Sequence, residues 1–411
     1  MKVASQNKAD EGGDSLIMRI LFHHRIASRD GQSVHLEELM KALKTLGHEV
    51  ILVGPAAFAQ TEFGGSNSAV DSIKKLIPAW LYEPLEIAYN VKAFFRLRAA
   101  IRQHKPDIIY ERFSLYLFAG VWLRRLTGLP LVLEVNSPLF EERAKNDGLK
   151  LHRIGHWAQG YIWRNVDHLF PVTAVLAKTI TDYGVPGSRV TVISNGVDPA
   201  RFPRPPEKTR RRDEGQKPRI VLGFTGFIRG WNAVDRLIDF AARHRDLYDI
   251  HVLVVGDGPA RAELEARAQD LDMADNLTIT GIVGRDAVTK YVSGFDIAVL
   301  PDVTPYSSPL KLFEYLQLGA AIVGPDLANI REILTDGENA LLFSREGANT
   351  LEAALLKLCA DPDLRARLGR AAHSTIAAKS LTWKDCAQRV IAVADGLPRR
   401  AGTGSAAGGT V

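Results

Sequence analysis

An ammonium and a carboxylate three residues apart, Lys311 and Glu314, follow a Ser308-Pro309 pair and precede Gly319. Leu310, Phe313, Leu316 and Leu318 recur at near-helical spacing, which predicts a helix with Ser308 as N-cap and Pro309 in its first turn. A helix start of this kind leaves backbone N–H groups directed outward. With Lys311 and Glu314 on one face beside them, it suits a ligand carrying both phosphate and ribose. A capped surface helix with one ion pair satisfies the same residues equally well, so the rest of the chain has to decide.

Other stretches carry or mimic chemistry. Gly226-Phe227-Ile228-Arg229-Gly230-Trp231-Asn232 is a Gly-rich loop after an apolar run. Arg229 there, paired with Lys311 and a helix N-terminus, would neutralise a diphosphate without a divalent cation. Gly256 and Gly258 follow another apolar run and mark a second ligand-facing loop, but Arg261 replaces the third glycine of a dinucleotide fingerprint. The next run, Leu277–Thr280, ends without the acidic residue that would hold a ribose, so no nicotinamide cofactor is expected. Asp270-Leu271-Asp272 lies at a helix end, and Asp361-Pro362-Asp363 reads as an N-cap with proline in the first turn. Neither suits a metal–diphosphate site, and no metal or other cofactor is expected. His23 and His24 are adjacent in a strand, so they point to opposite faces and form no chelate.

The elements that must position these residues alternate. Arg19–His23, a loop through Gly31, a helix over Val34–Leu46 and a strand at Glu49–Val53 make a βαβ unit. Gly31 either lets backbone approach a ligand or simply makes a turn. Further strands are predicted at Asp107–Tyr110, Leu131–Val135, His168–Pro171 and Val190–Ile193, with Glu134 and Asn136 at a ligand-side strand end. Ile73–Lys105 is helical, basic and aromatic, interrupted early by Pro78 and Pro84. It could lie on a membrane interface, though apolar residues facing the sheet under solvated cations account for it better. Arg201–Arg219, rich in proline and charge, reads as a solvated linker rather than a nucleic-acid arm, since acids interrupt it and no aromatics interleave.

After the linker the alternation restarts and runs to a strand at Ala340–Phe343, followed by helices. Two doubly wound, Rossmann-like α/β domains facing across a cleft are therefore expected, at 18–200 and 220–380. A final helix, 381–397, is expected to pack back on the first domain. The leader 1–17 and the Gly/Ala/Ser-rich tail 398–411 are expected to be unstructured.

Composition bounds the answer without choosing it. The 411 residues carry a net charge of +5, compatible with phosphorylated ligands, nucleic acid or an anionic membrane surface. Two cysteines, Cys359 and Cys386, are too few for a disulfide framework or a thiolate metal site and fit a reducing cytoplasm. No apolar run is long enough to span a bilayer.

Three stretches in order, Val190–Asp198 ending Asn-Gly-Val-Asp, the loop within Gly223–Ile238, and Ser308–Glu314 with Gly319, together resemble the retaining GT-B glycosyltransferases of family four. The resemblance spans about Met18 to Gly396. It implies that Glu314 holds donor ribose hydroxyls and that Arg229 and Lys311 hold the diphosphate. It further implies that Gly31, Gly226, Gly256, Gly258, Ser308, Pro309, Leu310 and Leu312 line the donor pocket. Arg112, Glu134 and Asn136 would lie on the acceptor side. The chain departs from the family pattern at three places. Tyr306 stands where a sugar-contacting glutamate is usual, Asn136 where a histidine is usual, and Phe227 where an arginine follows the glycine.

The implied activity is metal-independent transfer of a sugar, UDP-linked by family frequency, to a glycan or lipid-linked acceptor in polysaccharide or glycoconjugate synthesis. The setting would be the cytoplasm, with peripheral contact at the inner membrane surface open. An epimerase of the same fold would need acid and histidine pairs in the cleft, and a non-catalytic nucleotide-sugar-binding subunit would fit the departures at Tyr306 and Asn136.

Overall fold

The computed structural model describes residues 17–26, 31–55, 79–146, 149–205, 217–344 and 350–398. Residues 1–16 of the predicted leader, 399–411 of the tail, Pro78 and most of the predicted linker lie outside the described residues.

The first domain runs β1 (Arg19–His23), α1 (Gly31–Thr45), β2 (Glu49–Val53), α2 (Ala79–His104), β3 (Ile108–Arg112) and α3 (Ala119–Thr127). It continues with β4 (Leu131–Val135), α4 (Leu139–Asn146), α5 (His152–Arg164), β5 (His168–Pro171) and α6 (Ala174–Asp182). Its sheet has the order β2-β1-β3-β4-β5 and every pairing is parallel. β3 and β4 are buried along their whole length, as strands covered by helices on both faces must be. Pro84 does not end a helix. It sits inside α2, which gives up one backbone bond and carries on because Ala93 and Leu97 further along are buried on the core. Val190–Ile193 forms no full strand, but Thr191 N and Ile193 N donate to Leu169 O and Pro171 O, both at 3.0 Å, extending the edge of β5.

The second domain runs β6 (Arg219–Thr225), α7 (Asp235–Arg243), β7 (Asp249–Val255), α8 (Arg261–Asp270), β8 (Leu277–Ile279), α9 (Arg285–Val292) and β9 (Ile297–Val299). Then come α10 (Leu310–Leu318), β10 (Ala321–Pro325), α11 (Ala328–Arg331), β11 (Leu341–Phe343), α12 (Leu351–Ala360), α13 (Pro362–Ala378) and α14 (Trp383–Asp395). Its parallel sheet has the order β11-β10-β9-β6-β7-β8. Period-2 alternation divides its core: Ile297 and Val299 pack on one face, Ala298 and Leu300 on the other. Phe202, inside the predicted linker, is buried in this second core, and Gln317 Nε2 donates to its carbonyl at 3.2 Å. An aromatic ring that can reach a core does not stay in a solvated spacer.

The domains are stitched twice. Trp383, Cys386, Ala387, Val390 and Ile391 of α14 are buried with Met18, Ile20, Leu36 and Leu39 of the first domain. The two passages between domains run side by side: Val197 N donates to Leu381 O and Trp383 N to Val197 O, at 3.0 and 3.1 Å. Gly196 makes this possible, since a Cβ there would stand 2.8 Å from backbone of Thr382 and Trp383.

Candidate active site

The loop leaving β6 is built around missing side chains. Gly226 adopts φ +123°, and a Cβ on it would lie 3.1 Å from Lys311 Nζ. A Cβ on Gly256 would meet Gly226 O at 2.1 Å, and one on Gly258 would meet Ile228 O at 2.2 Å. Gly226 N donates to Val255 O and Ile228 N to Asp257 O, both at 2.9 Å, closing the two loops on each other. Gly256 and Gly258, predicted to meet a ligand, are thus needed first for this loop-on-loop contact.

Lys311 lies in the first turn of α10. Its ammonium sits 3.6 Å above the Phe224 ring centroid, at the end of β6. Although part of the side chain remains exposed, burial of the ammonium pushes its pKa from 10.5 down to about 7, against the opposing pull of Glu314. The next residue, Tyr315, is buried, and its hydroxyl accepts from Thr225 N at 2.8 Å, pinning α10 to the end of β6. Glu314 is half-buried on the same helix. The structure therefore brings Phe224, Gly226, Lys311 and Glu314 together.

Arg229 shares that loop but is exposed, its guanidinium 5.2 Å from the ring of the equally exposed Phe227. Its backbone N–H is held by Asn232 Oδ1 at 2.9 Å.

Ser308 is not the N-cap predicted for α10. The helix begins at Leu310 with Pro309 as the capping residue, and proline offers no side-chain acceptor. The Ser308 hydroxyl accepts instead from Asn195 N at 3.1 Å, and Ser308 O accepts from Asn195 Nδ2 at 2.5 Å. A bond between domains has taken the side chain that would have capped the helix. Leu312 is also corrected: its side chain is buried in the second-domain core and its N–H donates to Pro309 O, leaving nothing to offer a donor. Leu310 packs against the first-domain cluster that α14 completes.

The acceptor-side residues form a buried node rather than an open surface. Glu134 is 2% exposed and receives Tyr110 OH and Arg112 Nη1, both at 2.9 Å, together with Asn136 Nδ2. His35 Nε2 lies 3.0 Å from Glu134 Oε2, the oxygen that Tyr110 OH also reaches. Burial pushes the Glu134 carboxyl up, but His35 and Arg112 outweigh it and hold the pKa at about 2. His35 Nδ1 then meets Asn195 Oδ1 at 2.6 Å, so one chain of contacts runs Arg112, Glu134, His35, Asn195, Ser308. His35 and Asn195 are functional candidates that sequence reasoning missed. The signals were faint: a histidine on the inner face of α1, and an asparagine valued only as part of Asn-Gly-Val-Asp.

Acid and histidine pairs are present after all, since His23 Nδ1 also lies 2.6 Å from Glu111 Oε2. Both pairs are buried, so neither is open to a ligand. His24, on the opposite face from His23, is pushed down to about 4 chiefly by burial. Tyr306 is a clasp between domains: its carbonyl accepts from Thr173 Oγ1 at 2.9 Å, and its hydroxyl bonds Glu142 of α4, which with burial raises the phenol pKa. Asp361 caps α13, accepting from Leu364 N at 2.8 Å, with Pro362 in the first turn as its sequence predicts. The loop preceding Gly31, residues 27–30, lies outside the described residues, and Gly31 itself opens α1.

Two parallel-sheet α/β domains joined at the start of α10, where Ser308 meets Asn195, fit the GT-B class. Among solved structures, Anabaena Alr3699/HepE in complex with UDP superposes with a TM-score of 0.67 at 17% identity, covering 92% of this chain and 100% of that one. The Glycosyltransferase Family 4 model matches residues 29–201, and the Glycosyl transferases group 1 model matches 219–361. The chain belongs to this family of GT-B glycosyltransferases.

Among its relatives, the D-inositol 3-phosphate glycosyltransferase of Kribbella flavida is 26% identical over 88% of this chain and 89% of its own length. The alpha-monoglucosyldiacylglycerol synthase of Streptococcus pneumoniae is 23% identical over 70% of this chain, which spans 66% of that relative.

Proposed function

We propose that this glycosyltransferase takes a nucleoside diphosphate sugar, with UDP as the nucleotide, at the start of α10 and transfers the sugar with retention to a glycan or lipid-linked hydroxyl. The observation that carries the reading is the uncapped first turn of α10, with a desolvated Lys311 ammonium beside it and Glu314 one turn on. Diphosphate oxygens would accept from the free N–H groups and Lys311, and the dianion would draw the Lys311 pKa back up so that it binds protonated. Glu314 would accept from ribose hydroxyls. The UDP bound by Anabaena HepE, which shares the fold, is in keeping with this donor class.

In the reaction the bond from sugar C1 to the diphosphate oxygen breaks, leaving oxocarbenium character on the sugar. Lys311, the helix N-terminus and Arg229 offset the charge that accumulates on the leaving oxygen. The acceptor hydroxyl then bonds C1 on the face just vacated, and its proton passes to the departing phosphate oxygen. On this reading no divalent cation is required, because protein cations and N–H groups carry the whole burden.

The test is a panel of UDP-, GDP- and dTDP-sugars with and without EDTA, following binding, slow hydrolysis and transfer. Hydrolysis or transfer with one UDP-sugar, indifferent to EDTA, is expected. Interconversion of sugars, or binding with neither hydrolysis nor transfer to any acceptor, would overturn the reading.

A further inference from the structure

The loop leading into α10 is gripped by a side chain from a different element. Asn329 of α11 is 3% exposed, and its Nδ2 donates to Thr304 O at 3.1 Å and to Ser307 O at 2.7 Å. Its Oδ1 is buried and has no hydrogen-bond partner among the described residues. Exchanging the two amide atoms would set an acceptor against two carbonyls, so the neighbours fix the orientation. Both donors are spent on the loop and an acceptor is stranded, an arrangement that stability alone does not favour. Asn329 is firmly seated, because Ile330 beside it is fully buried in the second-domain core.

The grip sets a backbone direction. Thr173 Oγ1 donates to Tyr306 O and Asn195 Nδ2 to Ser308 O, so with Asn329 the carbonyls of Tyr306, Ser307 and Ser308 are all engaged. Pro305 and Pro309 carry no N–H, and Ser307 N donates to Thr304 O at 3.1 Å. The Ser308 N–H has no acceptor among the described residues. It shares a planar trans peptide with Ser307 O, so it points away from Asn329. Two residues on, α10 begins with its own free N–H groups and with Lys311 in its first turn.

We propose that Asn329 is a positioning residue for the donor: by holding Ser307 O it aims the Ser308 N–H at the diphosphate, alongside the N–H groups of α10. The inference rests on the reading that places the diphosphate at the start of α10, and it adds a residue that itself touches no substrate. Successive N–H groups with their carbonyls turned aside suit an anion, and fixing them in advance spares reorganisation when the ligand arrives.

Calorimetric titration of the full chain with UDP and with uridine tests this on Asn329→Leu, which keeps the bulk and removes both donors. UDP affinity is expected to fall roughly tenfold, the loss of one charge-assisted hydrogen bond, while uridine affinity changes by less than about twofold. Asn329→Ser, which keeps one donor, should lose UDP affinity in the same direction but by less. Asn339→Leu is the matched control, since Asn339 is also buried but none of its partners, Ile333 O, Thr335 N and Thr375 Oγ1, lies in the loop. It should lower the thermal midpoint and leave the ratio of UDP to uridine affinity where it is. An unchanged ratio in Asn329→Leu, or in Asn329→Ser if the leucine variant does not fold, overturns the inference. Lys311→Ala then tells the two failures apart. If it lowers UDP affinity, the diphosphate placement stands and only the role of Asn329 is lost; if it does not, the placement has failed as well.

Discussion

Asn195 of the first domain holds Ser308 of the second by two bonds, its N–H to the hydroxyl and its amide to the carbonyl, two residues before α10 begins. The start of the candidate donor helix is thereby set by the other domain. Because Asn195 also meets His35, which meets Glu134, a change in the first domain has a direct path to the donor pocket.

Asn195→Ala should lower stability by about 1–3 kcal/mol, because it removes the side-chain partner of His35 Nδ1 and of Ser308 O. Its donor KM should rise more than its kcat falls, since the reacting groups themselves remain. Thermal unfolding and steady-state kinetics measure both; an unchanged donor KM would break the proposed path.

Gly258→Ala places a methyl 2.2 Å from Ile228 O, so the loops after β6 and β7 must part. Loss of several kcal/mol and of donor binding is expected, by the overpacking of a tight contact. Gly230→Ala, on the same loop with nothing within 4 Å of the added carbon, should change stability by no more than about 0.5 kcal/mol.

The Lys311 pKa near 7 sets two pH dependences. Between about 7 and the usual 10.5 the unfolded chain holds a proton that the folded chain lacks, so this residue makes stability rise with pH across that window. Donor affinity should move the other way and weaken as pH climbs above 7, where the free site is neutral. Lys311→Met should flatten both profiles, read by chemical denaturation and by calorimetric titration with UDP from pH 6 to 9.

Glu134, held at about 2 against an ordinary 4.5, contributes stability that is complete above 4.5 and lost as pH falls towards 2. Glu134→Gln should remove that acid limb and, by stranding His35 and Arg112, cost about 3–5 kcal/mol at neutral pH. Acid unfolding curves of the two proteins make the comparison.

Local periodicity made the two βα-alternating halves legible, along with the helix at Leu310–Leu318 and the pairing of Lys311 with Glu314. Contacts between residues distant in sequence were hidden. Ser308 has the right chemistry for an N-cap, and only the approach of Asn195, 113 positions away, diverts it. Glu134 read as a carboxylate at a ligand-side strand end, yet His35 and Arg112 from other elements enclose it. Tyr306, the departure from the family pattern, uses its hydroxyl to bond Glu142 across the boundary. Leu312 shares the helix with Lys311, but its turn points it into the core.

The most direct measurement compares UDP with uridine by calorimetric titration on the parent protein and on Lys311→Ala. UDP affinity is expected to fall at least tenfold, consistent with loss of a charge-assisted contact to phosphate, while uridine binding stays the same. Undiminished UDP affinity in Lys311→Ala, or an equal loss for uridine, would contradict the placement of the diphosphate at the start of α10.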